Sequence, residues 1–203
     1  MTVAVETAPG VPSGGPGPTT WLGGRFRLDE RVTAAGGLSV SSRPGSSWPG
    51  SVWPESSWPG SVWRATDELL CRPVAIHLLP RGVRVPARVT AAVQAAARVN
   101  DPRLATIYDT DYDPEGPYIV SEWTPGTHLE DLVLSGLPSP ALAAAMIADA
   151  ADALAVGHRA GLPHLRLTPR SLRWHPGSGL KITGLGLDAA LCGVAGVCVA
   201  GHR

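Results

Sequence analysis

Two adjacent glycines near the N-terminus are the first residues whose type and spacing could do chemistry. Gly36 and Gly37 lie in the stretch TAAGGLS, residues 33–39. Loops of this kind bind phosphate because glycine lets backbone N–H groups approach the ligand closely. The preceding stretch GRFRLDERV, residues 24–32, alternates apolar and polar side chains and predicts a half-buried strand. A plain hairpin turn would use the same glycines, so a phosphate loop and a simple turn both stay open.

A histidine lies inside an apolar stretch that predicts a buried strand. His77 interrupts PVAIHLL, residues 73–79. An imidazole with an ordinary pKa of about 6.5 carries no permanent charge at neutral pH. The simplest interpretation is a strand histidine that hydrogen-bonds to a neighbour.

Acidic and cysteine side chains form no strong metal motif. The acidic cluster in DTDYDPEG, residues 109–116, could hold calcium, but we interpret it as the solvated tip of a hairpin between strands at 103–109 and 117–123. The cysteines are odd in number and lack zinc spacing, which favours a reducing cytoplasm over a disulfide framework. The residues concerned are Asp109, Asp111, Asp113, Glu115, Cys71, Cys192 and Cys198.

Three helices and a C-terminal hairpin are predicted to position the polar residues. Residues 86–99 favour a helix by propensity, Thr127 and Glu130 form a capping box for a short helix, and Ser139 caps a long helix with Pro140 at its first position. Gly161 is the expected C-cap, and strands follow at 171–174 and 180–183. The apolar faces are Val89, Val93 and Ala96 in the first helix, and Leu142, Met146, Ala150 and Leu154 in the third.

Composition limits the classes of function. The net charge is +0 and charged residues make up 17% of the chain, below the usual ~25%, so nothing favours nucleic-acid binding. The N-terminus MTVAVETAPG has no signal-peptide pattern, and no apolar run approaches the ~20 residues that span a bilayer. We therefore expect a cytoplasmic protein with no transmembrane segment and a disordered tail at residues 1–20.

A five-residue tandem repeat follows the first strand. Its units are SSRPG, SSWPG, SVWPE, SSWPG and SVWRA, residues 41–65, and proline in four of them blocks helix and sheet bonding. Trp48, Trp53 and Trp58 could dock a peptide. The simpler interpretation is a mobile insert that leaves only Trp63 packed.

The blocks, in their order, resemble bacterial, eukaryotic-like Ser/Thr protein kinases. HLRLTPRS, residues 164–171, stands where that family has H-R-D-x-K-P-x-N, and GLG, residues 184–186, stands where it has D-F-G. YIVSEWTPG, residues 118–126, resembles the hinge that recognises adenine. The resemblance implies an α+β, protein-kinase-like fold with a small antiparallel β-sheet N-lobe, an αC helix and a partial helical C-lobe.

The sequence keeps the family's motif residues at His164, Pro169 and Gly186. The residues that carry out the family's chemistry are replaced. Phosphoryl transfer needs a lysine on the phosphates, metal ions and an aspartate that orients the hydroxyl. The resemblance therefore implies a degenerate pseudokinase with a binding or regulatory role. A weak or atypical ATP-dependent Ser/Thr kinase and a non-functional fragment of a longer kinase-like protein are the alternatives. The degenerate positions are His77 for the lysine, Ala92 for its glutamate partner, Arg166 for the catalytic aspartate, Thr168 for the loop lysine, Ser171 for the metal-binding asparagine and Gly184 for the metal-binding aspartate.

Of the family's nucleotide-binding features, only the loop and the hinge remain in this sequence. Gly36 stands at a family glycine, Ser121 at the gatekeeper position, and Glu122 and Thr124 in the linker. Adenine is recognised there mainly through backbone groups, so the resemblance implies binding of ATP without Mg²⁺ at most, and no metal site.

The resemblance also implies an organisation in which the chain is truncated after the D-F-G position. Helix 140–157 is covered by later helices in the family, so we expect a protein partner or self-association through this helix and the tail at 189–201. The expected divisions are a tail at 1–20, an N-lobe at 21–123 that contains the insert 41–62, a partial C-lobe at 124–190 and a tail at 191–203.

Overall fold

The first half of the chain folds into a six-stranded antiparallel sheet in the computed structural model, which describes residues 16–32, 60–165, 167–187 and 190. The strands lie in the order β1-β2-β3-β4-β6-β5. Their bounds are β1 Trp21–Leu22, β2 Phe26–Val32, β3 Ser61–Asp67, β4 Arg72–Leu78, β5 Ile107–Asp113 and β6 Gly116–Glu122.

The outward face of this sheet carries its own apolar core. Alternate residues point to one side of a strand, so the residues that β3 and β4 contribute to this core recur at every second position. Phe26 and Tyr118 meet edge to face across this core, with ring centroids 6.0 Å apart. Trp63, predicted to be packed, is 3% exposed. The core comprises Leu22, Phe26, Leu28, Trp63, Ala65, Val74, Ile76, Leu78, Tyr118 and Val120.

The opposite, inward face of the sheet packs on helices and on a second, three-stranded sheet. Helix α1 (Ala87–Ala96) buries the predicted face of Val89, Val93 and Ala96, and it is shorter than the predicted 86–99. The second sheet has the order β7-β8-β9, with bounds Thr127–His128, Leu172–His175 and Gly179–Ile182. A parallel bridge between Leu104 and Ile182 joins the segment before β5 to β9 of the second sheet.

Two further helices lie between β7 and β8. Helix α2 spans Leu129–Ser135 and helix α3 spans Pro140–Arg159. The predicted cap of α3 is confirmed, because Leu142 N donates to Ser139 Oγ at 3.3 Å with Pro140 at the first position. A short 3₁₀ turn at Pro169–Ser171 leads into β8.

The buried stripe of α3 differs from the predicted one. The helix buries Met146, Ala150, Ala153 and Gly157, whereas Leu142 and Leu154 are only partly buried. The predicted stripe kept a constant spacing of four residues, which drifts around a helix of 3.6 residues per turn. By length and composition α3 could also span a membrane, although we expected no such segment; the core helix of a soluble protein passes the same test.

Two local predictions were wrong. Thr127 lies in β7, and α2 begins after His128 with no side-chain cap, so Thr127 and Glu130 form no capping box. The hairpin at 109–116 is also tighter than predicted, because β5 continues through the acidic residues as far as Asp113.

Some predictions fall outside the described residues. These comprise most of the tail at 1–20, the loop with Gly36, the three repeat tryptophans at 48, 53 and 58, Arg166, and nearly all of 189–201. Thr19, which falls within the predicted disordered tail, is described and donates its N–H to Leu28 O at 2.8 Å. Ser61 and Val62, assigned to the insert, lie in β3.

Candidate functional site

His77 lies on the inward face of the sheet, where the resemblance has the phosphate-binding lysine. Its Nε2 is 2.9 Å from Ser121 Oγ on the neighbouring strand β6, which confirms the interpretation of a histidine bonded to a neighbour. Burial lowers the pKa of His77 from 6.5 to about 4. The side chain is therefore uncharged at neutral pH and cannot replace an ammonium group.

The chain's only lysine lies in the three-stranded sheet, away from His77. Lys181 on β9 forms an ion pair with Glu122 at the end of β6, and Glu122 Oε2 also accepts from Thr106 N at 3.2 Å. Sequence reasoning assigned Glu122 to the hinge but missed Lys181, although its uniqueness in the composition was a usable signal. Ala92, where the resemblance has the lysine's glutamate partner, packs from α1 against a buried cluster that includes Val89, Ile107 and Leu172.

Ser171 is committed to a local turn. Its Oγ accepts from Thr168 N at 3.2 Å and lies 3.2 Å from Thr168 Oγ1, so these two residues form a capping box around the 3₁₀ turn. The carbonyl oxygen of Ser171 accepts from Thr183 N at 2.8 Å. At the position where the resemblance has a metal-binding asparagine, this hydroxyl stabilises the entry to β8.

Gly184 supplies no side chain where the resemblance has a metal-binding aspartate. Its φ is +83°, in the left-handed region that favours glycine. His164, which is 2% exposed, lies beside this turn with Nε2 2.9 Å from Thr183 O. The structure therefore brings His164, Ser171 and Gly184 together around Thr183, while Arg166 lies outside the described residues.

The linker between β6 and β7, residues 123–126, contains an aromatic ring that faces two cations. The guanidinium carbons of Arg64 and Arg173 each lie 5.6 Å from the centroid of the Trp123 ring. Thr124, next along the linker, is 4% exposed, with its Oγ1 3.5 Å from Glu122 O.

Arg173 is oriented by a neutral histidine. His128 Nδ1 lies 2.7 Å from Arg170 O, which can only accept, so Nδ1 donates and Nε2 accepts from Arg173 Nη1 at 3.0 Å. Burial, and then the charge of Arg173, lower the pKa of His128. Arg173 Nη2 also donates to Gly126 O at 2.5 Å.

The acidic hairpin acts as a structural brace. Asp113 Oδ2 accepts from Gly23 N at 2.9 Å, and its Oδ1 accepts from Glu115 N at 3.0 Å. Asp109 and Asp111 each accept from the next residue of β5. Among the described residues, no group of three His, Cys, Asp or Glu side chains could hold a metal ion.

Comparison with known proteins identifies relatives with kinase names. Serine/threonine-protein kinase PknB of Mycolicibacterium smegmatis is 34% identical over 136 residues, which is 63% of this chain and 22% of that kinase. PknB of Mycobacterium tuberculosis is 33% identical over the same share of each chain. The chain is homologous to bacterial Ser/Thr protein kinases.

This kinase homology extends beyond PknB but covers only part of each relative. PknL of Mycobacterium tuberculosis is 29% identical over 133 residues, 63% of this chain and 33% of that kinase. The chain thus matches about a fifth to a third of the length of these relatives. No family model matches the chain. A curled antiparallel sheet with helices is consistent with a kinase-like N-lobe.

Proposed function

We propose that this chain is a pseudokinase: a protein-kinase-like domain with a binding or regulatory role and no efficient phosphoryl transfer. In this proposal α1 corresponds to the αC helix, and α2, α3 and the β8–β9 hairpin form a partial C-lobe. The proposal is supported by the homology to PknB and PknL together with the side chains that stand at the positions of the kinase chemistry.

The observation that carries the proposal is the lack of a lysine at the position where a kinase binds the phosphates. At the lysine position stands His77, whose pKa is about 4, and the chain's only lysine is Lys181, which pairs with Glu122. No lysine is therefore available for the phosphates. Loss of such charge stabilisation costs a factor of at least ~10³ in rate. Gly184 and the turn-bonded Ser171 supply no carboxylate or amide for a metal ion.

The proposal predicts no transfer of phosphate to the chain itself or to a generic protein substrate. The full chain would be incubated with radiolabelled ATP and either Mg²⁺ or Mn²⁺. A parallel sample would carry Ser121→Phe, which replaces the hydroxyl beside His77 with a bulky ring. Labelling above background in the original chain that is lost in this variant would show genuine kinase activity and overturn the proposal.

The same proposal expects no cofactor and allows at most residual binding of ATP without Mg²⁺, at Ser121, Glu122 and Thr124 and at the loop with Gly36. A cytoplasmic location is part of this proposal, because the cysteines lack the spacing of a disulfide framework or a zinc site. The names of the relatives favour the alternative of a weak Ser/Thr kinase, which the labelling assay distinguishes. For the fragment alternative, the deciding observation is a reading frame that continues a kinase-like C-lobe past residue 203.

We further propose that α3 and the tail at 189–201 bind a protein partner or a second copy. Only 22% of the apolar 18-residue stretch of α3 is buried, and the Ile147 side chain is 61% exposed. Multi-angle light scattering on the full chain should detect self-association that Ile147→Lys weakens. Ala145→Lys, on the other exposed flank of α3, is the matched control. A monodisperse monomer that binds nothing and is indifferent to Ile147→Lys contradicts the proposal.

A further inference from the structure

The inward face of the six-stranded sheet can be traced to the linker through its strand register. Arg64 on β3 pairs with Ala75 on β4, and Ala75 pairs with Ser121 on β6. Residues directly opposite one another in adjacent strands share a face. Arg64 therefore lies on the same face as Ser121 and His77, the face opposite to the outward core.

Arg173 reaches the linker from the other sheet. It lies on β8, and its guanidinium is fixed by His128 Nε2 and by Gly126 O, both in or next to the linker. Burial lowers the pKa of Arg173. Among the described residues neither Arg64 nor Arg173 has a carboxylate within ion-pair distance. The ring of Trp123 is thus the partner that the two cations share.

These contacts join the two sheets at the linker to which the proposed function assigns a nucleotide. One cation comes from each sheet, and each lies 5.6 Å from the same ring centroid, so the two guanidinium carbons are no more than about 11 Å apart. Cation–π contacts of this kind contribute about 0.5–2 kcal/mol each, depending on how far the cation is desolvated. Lys181 and Glu122 form a second link between the sheets directly beside this contact.

We propose that Arg64, Trp123 and Arg173 form a linker clamp that ties the two sheets together and closes the space beside residues 122–124, so that a purine nucleotide enters only when the clamp is broken. This inference rests on the proposed function, because the kinase resemblance is what makes the linker a nucleotide site. It adds that the chain's own side chains occupy the entrance.

The clamp predicts variants that gain nucleotide binding. The fluorescent analogue trinitrophenyl-ATP would be titrated in the absence of Mg²⁺ into the full chain and into Trp123→Ala, Arg173→Met and Arg64→Ala. We expect at least tenfold tighter binding for Trp123→Ala and Arg173→Met, and a smaller gain for the exposed Arg64→Ala. Unlabelled ATP should displace the probe, which excludes binding through the trinitrophenyl ring alone.

Matched controls separate the clamp from a general loosening of the fold. Trp21→Ala removes an exposed tryptophan from β1, and Arg81→Met removes a guanidinium that pairs with Glu115 at the end of β6 opposite to the linker. Neither control should gain binding, and circular-dichroism melts should show that every variant is folded. If the original chain binds the probe as tightly as Trp123→Ala, or if no folded clamp variant gains binding, the clamp is overturned. Either result leaves the labelling test of phosphoryl transfer unaffected.

Discussion

The outward and inward faces of the six-stranded sheet are built from the same strands but differ in what they require of each residue. On β4, Val74 and Ile76 are completely buried in the outward core, while Ala75 and His77 alternate with them on the inward face. The outward face keeps the alternation that a sheet needs to pack. The inward face, where the proposed function places the kinase chemistry, carries a neutral histidine, a serine and one clamp arginine, Arg64. The fold therefore does not depend on the charges that phosphoryl transfer requires.

Truncation on the outward face should have the largest effect. Ile76→Ala removes a side chain that is 0% exposed, and we expect the free energy of unfolding to fall by about 2–5 kcal/mol in urea titrations. Val62→Ala, on the inward face opposite His77 and only partly buried, should cost less than about 1.5 kcal/mol. Equal losses of stability at the two sites would show that the two faces contribute equally to the packing of the sheet.

Lowering the pH should destabilise the inward face. The folded pKa of His77, about 4, is below its unfolded value of 6.5, so the unfolded chain binds more protons between these values. Stability should therefore fall as the pH drops from 6.5 towards 4, by up to about 3 kcal/mol from His77. The lowered pKa of His128 acts in the same direction. His77→Gln should flatten the dependence measured by urea titration at each pH, whereas His158→Gln, on an exposed turn of α3, should not.

Restoring an acidic side chain at the D-F-G position should cost stability without restoring activity. Gly184→Asp forces a non-glycine residue into a φ of +83°, at about 1–2 kcal/mol. Gly184→Ala carries the same strain without the charge and should lose a similar amount in thermal melts. Phosphate transfer by Gly184→Asp alone would show that the other replaced positions matter less than we propose.

The ion pair beside the clamp should have the smallest effect. Lys181→Met removes the partner of Glu122, and with side chains 20% and 25% exposed the expected loss is at most about 1 kcal/mol. Lys181→Arg, which keeps the charge, should lose less. A loss above about 2 kcal/mol would mean that this pair, rather than the apolar core, holds the two sheets together.

Sequence patterns predicted the elements that depend on periodicity and missed those that depend on tertiary partners. The strand around His77, the buried face of α1 and the cap at Ser139 follow from local spacing, and all are present. The capping box was placed at Thr127, although the real one is at Thr168, because Thr127 is recruited by β8 instead. The pair of Lys181 with Glu122 and the two cations on Trp123 join residues far apart in the chain, which no local pattern reveals.

The pairing of Val32 with Val62 has a consequence for the length of the repeat. Residues 33–61 lie between these two partners, and β2 and β3 form their ladder across that connection. The entropy of closing a connection grows only with the logarithm of its length, so adding one more five-residue unit costs about 0.1 kcal/mol, and removing four units returns about 1 kcal/mol. Thermodynamics therefore exerts almost no selection on copy number, and the tract is free to lengthen or shorten by replication slippage while β2 and β3 keep their register.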